Sequence, residues 1–93
     1  RLYGKGKEIK EGDATWDELI KLFPKTPGIR QIFDIEIESA QTSCGMSIPF
    51  MEYKGEREEL NNWAAGKGKE GIKEYWTEKN LTSIDGLPTK ILE

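Results

Sequence analysis

The sequence predicts an α+β fold, and three observations predict it. Phe33, Ile35 and Ile37 alternate with Asp34, Glu36 and Glu38, which is the two-residue period of a strand with one apolar and one acidic face. Trp16, Leu19, Ile20 and Phe23 recur instead at i, i+3, i+4 and i+7, the spacing of one helical face. Further on, Leu60, Trp63 and Ala64, and then Ile72, Tyr75 and Trp76, repeat helical spacing. Together these patterns predict strands and about three helices in one domain spanning residues 1–93.

The first element is a strand from Leu2 to Ile9, in which Gly4 and Gly6 weaken the strand but mark bends or close backbone approach. Gly12-Asp13 punctuates the chain, and a helix is expected from about Ala14 to Phe23. Asp13 is its expected cap, since a carboxylate can accept the free N–H groups of a first turn; Pro24 and Pro27 end it. The alternating strand after Gly28 is expected to continue to about Ser43. Its three acids would repel, so that face must reach water or meet basic residues on a neighbouring strand. Gly45 and Pro49 bound a turn, and the apolar run Ile48 to Tyr53 follows. A second helix is expected from Glu56 to Ala65, an interruption at Gly66 and Gly68, and a third helix from Glu70 to Lys79. Asp85-Gly86 with Pro88 reads as a turn in the tail.

Composition removes several function classes. With 35% hydrophobic and 33% charged residues and a net charge of -3, the chain lacks the clustered basic excess of a nucleic-acid binder. Lysines are interleaved with acids, as in Lys7-Glu8 and Lys69-Glu70, so their fields largely cancel. One cysteine and no histidine exclude an intrachain disulfide framework and the usual zinc-ligand sets. No apolar run approaches the roughly 20 residues that cross a bilayer, and no charged leader precedes an apolar core, so a cytoplasmic setting without membrane contact is expected. Without such a leader, Asn80-Leu81-Thr82 reads as a chance match to a glycosylation acceptor. At 93 residues a single core gives modest stability, and the chain opens on Arg1 directly into Leu2-Tyr3-Gly4. These features suggest a fragment or processed chain helped by a partner.

Among short motifs, Gly66-Lys67-Gly68-Lys69-Glu70-Gly71 has the spacing of a dinucleotide-binding glycine fingerprint. It follows a charged helical stretch rather than a buried strand, so it reads as a joint between helices. It also lacks the Gly-Lys-Ser/Thr of a P-loop. Its likeness to Gly4-Lys5-Gly6-Lys7-Glu8 does not extend into the flanks and is no repeat. Gln41-Thr42-Ser43-Cys44-Gly45 is the densest cluster of small polar residues and falls where the best strand ends, a common binding position. Its amide and hydroxyls can donate and accept hydrogen bonds to a ligand, or can simply satisfy a strand end. Cys44 has no histidine to activate it and reads as a buried structural cysteine. The aromatics Trp16, Phe23, Trp63, Tyr75 and Trp76 read as core, with Trp63 or Trp76 the exceptions if the glycine joint exposes a face. Glu36 and Glu38 read as a solvated face rather than an acid-base pair.

Three ordered stretches carry a resemblance that covers nearly the whole chain. They are Arg1-Leu2-Tyr3-Gly4-Lys5-Gly6; Pro27-Gly28-Ile29-Arg30-Gln31-Ile32-Phe33 with Gln41-Thr42-Ser43-Cys44-Gly45-Met46-Ser47-Ile48-Pro49; and Asn80-Leu81-Thr82-Ser83-Ile84-Asp85-Gly86-Leu87-Pro88. The chain resembles the C-terminal half of bacterial pyridoxamine 5'-phosphate oxidase-related, FMN-binding split-barrel proteins. The resemblance implies a homodimer with FMN at the subunit interface, the C-terminal part of a split β-barrel, and a flavin-dependent oxidoreductase when intact. It implies that much of the phosphate anchor lies in a first half preceding Arg1, and it nominates Gln41, Thr42, Ser43 and Gly45 for the cofactor or the dimer seam. No residue here need be catalytic, because the hydride chemistry belongs to the flavin. The C-terminal tryptophan and arginine pattern of the true oxidases is missing, so their specific reaction is not implied. The alternative, suggested by the small size, the acidic sheet face and the missing catalytic residues, is a non-catalytic interaction module that folds by dimerising.

Overall fold

The computed structural model describes all residues from Arg1 to Glu93. Its elements are strand β1 (Leu2–Ile9), helix α1 (Trp16–Leu19) followed by a 3₁₀ turn at Ile20–Leu22, strand β2 (Ile32–Ala40) and helix α2 (Glu59–Lys79). They fall in two compact units, one of Arg1–Lys25 with Arg30–Glu56, the other of Thr26–Ile29 with Arg57–Glu93.

In the first unit β1 and β2 form a two-stranded antiparallel sheet. The register pairs Ile9 with Ile32, Lys7 with Asp34 and Lys5 with Glu36. The acidic face therefore meets the lysines that like-charge repulsion requires, and Lys5 Nζ lies 3.3 Å from Glu38 Oε1. On the opposite face Phe33, Ile35 and Ile37 stand opposite Glu8, Gly6 and Gly4, and all three apolar side chains are exposed. At the other end of the ribbon Ile9 and Ile32 are buried.

The pairing slips by one residue between Tyr3 and Gly4: Tyr3 pairs with Ser39 and Gly4 with Ile37, so Glu38 is the extra residue of a bulge. Gly4 is required there, because a Cβ would overlap the Glu36 carbonyl oxygen. One extra residue reverses the alternation of everything after it. Gln41 consequently emerges on the face that carries Tyr3, and their side chains meet.

The split barrel and its three helices are corrected by this architecture. Two strands with no third partner cannot close a barrel, and the only pairing outside them is an isolated bridge between Thr82 and Pro88. The expected helix at Ala14–Phe23 reduces to one α-turn and a 3₁₀ turn. Asp13 does not cap it, since its carboxylate accepts the Lys10 N–H at 2.7 Å and closes the preceding turn instead. Thr15 occupies the cap position without a side-chain bond. β2 stops at Ala40, short of Ser43, because its partner strand begins at Leu2.

The second and third expected helices are one element, α2, which begins at Glu59 rather than Glu56. Gly66 stays helical, since glycine costs only about 1 kcal/mol relative to alanine in a helix. Gly68 alone leaves the helical region, at φ 67° and ψ 175°, which side chains other than hydrogen strongly disfavour. The bend there brings Trp63 and Tyr75 into an edge-to-face pair with centroids 5.0 Å apart, where a straight helix would separate them by about 18 Å. Lys67 Nζ lies 5.9 Å from the Trp63 ring centroid. Ala64 and Ile72 are the buried residues of α2, and both border Gly28, whose hypothetical Cβ would sit 3.2 Å from Ala64 Cβ. The tail turns as its Asp85-Gly86 pair predicts: Ser83 N–H donates to the Leu87 carbonyl at 2.8 Å and Gly86 N–H to the Ser83 carbonyl at 3.0 Å.

Candidate binding site at the end of β2

Gln41 is the first residue beyond β2, and the backbone ladder reaches it: its N–H donates to the Arg1 carbonyl at 2.9 Å, and its carbonyl accepts from the Arg1 amino nitrogen at 2.6 Å. Its side chain is also held. The Tyr3 hydroxyl donates to Gln41 Oε1 at 3.2 Å, leaving Nε2 with its two donors outward of that bond. The remaining nominees, Thr42, Ser43 and Gly45, follow in exposed irregular backbone. The Gly45 carbonyl accepts the Ile48 N–H at 3.1 Å, closing the turn that Gly45 and Pro49 announce. The structure thus gives the Gln41 side chain one hydrogen-bond partner and strings the other three along an exposed strand exit rather than around it.

Tyr3 is the residue that sequence reasoning left out of the site. Its signal is indirect: Gly4 marks the close approach, the approach creates the bulge, and the bulge turns Gln41 toward the phenol.

Cys44 is exposed, which corrects its reading as a buried structural residue; it lies beyond the end of β2 in a stretch where, as in β2 after Ile32, no segment covers the side chains. The aromatics are less enclosed than a core demands. Phe23, Trp63 and Tyr75 are exposed, while Trp16 and Trp76 are partly covered. Only Ile9, Ile32, Ala64 and Ile72 are buried apolar side chains. Asp34, Glu36 and Glu38 are exposed and lie on the face that carries Lys5 and Lys7, a solvated face. No group of three or more His, Cys, Asp or Glu residues is arranged to hold a metal ion, and no helix is long and apolar enough to cross a membrane.

The donor set at the strand exit is a carboxamide, two hydroxyls and backbone amides, all uncharged. That chemistry can meet hydrogen-bond acceptors and donors on a ligand. Comparison of the chain with protein-family models, with curated proteins and with solved structures found no match.

Proposed function

We propose that the chain is an FMN-binding protein of oxidoreductase type, related to the pyridoxamine 5'-phosphate oxidase-like family, that acts as a homodimer on a small-molecule substrate. The observation that carries this reading is the held carboxamide of Gln41 at the end of β2, inside the Gln41-Thr42-Ser43-Cys44-Gly45 stretch on which the resemblance rests. Gln41, Thr42, Ser43 and the backbone at Gly45 would hold the cofactor by hydrogen bonds and orient it. When bound, FMN supplies the redox chemistry, and the protein's part is position and electrostatics.

Exposed apolar side chains support the dimer. Phe33, Ile35 and Ile37 on the sheet, with Met46, Ile48, Phe50 and Met51 after it, supply apolar area for burial between two copies.

Those same exposed residues favour a second reading, a non-catalytic module that folds by dimerising. Adding FMN to the purified chain and following flavin fluorescence separates the two. Saturable quenching by a dimer supports the flavin protein, and a dimer that leaves free flavin unchanged supports the interaction module.

A further inference from the structure

The hydrogen bond between Tyr3 and Gln41 has a direction, and the direction determines what the site can recognise. A glutamine side chain offers either its carbonyl or its amino group, depending on how the carboxamide is turned. Here Oε1 is engaged by the Tyr3 hydroxyl, and the backbone on both sides of Gln41 N and O is tied to Arg1. The backbone bonds fix where Gln41 stands, and the Tyr3 bond biases its carboxamide toward the orientation in which Nε2 is left to meet a ligand, a partial preorganisation.

We infer that Tyr3 is a positioning residue for this site: by donating to Gln41 Oε1 it holds the carboxamide with Nε2 presented outward, so the ligand group met there is a hydrogen-bond acceptor, a carbonyl or phosphate oxygen. The inference rests on the flavin reading for the identity of the ligand, and on the structure alone for the orientation of Gln41. It also gives the bulge a purpose. If pairing continued regularly past Gly4 with no bulge, Gln41 would emerge on the face of Ile35 and Ile37, away from Tyr3.

The test uses the full chain, labelled with ¹⁵N, in three forms: wild type, Tyr3→Phe and Gln41→Glu. In the ligand-free wild type the Gln41 side-chain amide pair is expected to be as rigid as the backbone of β2, and in Tyr3→Phe to become mobile and shift. An amide pair that is equally mobile in both overturns the inference, whether or not any flavin binds. Titration then decides the ligand. Tyr3→Phe is expected to weaken FMN binding roughly two- to fivefold, the lower part of the range for one hydrogen bond because both partners are exposed. In a Gln41→Ala background the same change should alter affinity less than about twofold, since coupled groups are not additive. Gln41→Glu, similar in size but presenting only acceptors at neutral pH, should weaken binding more than Tyr3→Phe does.

Equal losses from Tyr3→Phe with and without Gln41, or wild-type affinity in Gln41→Glu, overturn the positioning role. Riboflavin, which lacks the phosphate, identifies the acceptor: a Tyr3→Phe loss shared by riboflavin and FMN assigns a ring carbonyl, and one confined to FMN assigns the phosphate. A wild type with an ordered Gln41 amide but no flavin affinity overturns the flavin reading and leaves the orientation of Gln41 standing.

Discussion

Tyr53 donates its hydroxyl to Glu56 Oε1 at 2.8 Å, and that bond, with a smaller contribution from burial, raises the phenol above the ordinary tyrosine range. The folded chain therefore holds this proton more tightly than the unfolded chain does. Whatever the bond adds to stability is present below the ordinary tyrosine pKa and is lost as pH rises through the raised value. Glu56→Gln should return the titration of Tyr53 toward its ordinary range in an ultraviolet difference titration. Superimposable curves would mean that the bond does not persist in solution. Cys44 offers a second check at this scale: exposed as it is, it should react with a thiol reagent in the folded chain about as fast as in denaturant. Protection by several orders of magnitude would restore the buried cysteine that the lack of a histidine partner suggests. Sequence patterns of this kind read residue type well and solvent access poorly, because access at Cys44 depends on whether a segment distant in sequence covers it, and none does.

At the scale of elements, the two glycines in the middle of α2 make opposite predictions. Gly66 is helical with open space around its missing side chain, so Gly66→Ala should stabilise the chain by up to about 1 kcal/mol. Gly68 sits at φ 67°, so Gly68→Ala should cost about 1–3 kcal/mol in the denaturant midpoint and disturb the Trp63 and Tyr75 pair, visible in tryptophan fluorescence. Equal effects at the two positions would remove the bend. This contrast shows where the sequence was legible. The helical faces at Leu60–Ala64 and Ile72–Trp76 were readable from spacing, but two glycines two residues apart give no indication of which one bends, since only backbone angles distinguish them. The alternation from Phe33 to Glu38 located β2 and required the lysines that Lys5 and Lys7 supply. Its end could not be read, because Ala40 is the last residue for which β1 still provides a partner. The site followed the same rule: the strand exit was legible at Gln41, and Tyr3 was not, because a bulge reverses the alternation that sequence reading assumes.

For the whole molecule, exposed apolar side chains outweigh the buried ones, and the expectation is that burial is completed between copies of the chain. Sedimentation velocity over a wide dilution series should show a dimer, with Ile35→Asp shifting it toward monomer. A stable wild-type monomer at every concentration, with a cooperative unfolding transition, would contradict the dimer. The barrel suggested by resemblance is not what these residues build, since a two-stranded ribbon has no closure. Its polar exit still carries the proposed chemistry. The most direct test of that claim is a fluorescence titration of the purified chain with FMN. The account predicts saturable quenching at one flavin per chain, weakened by Tyr3→Phe and more so by Gln41→Glu. Flavin fluorescence that stays at its free value with the chain in large excess would contradict it.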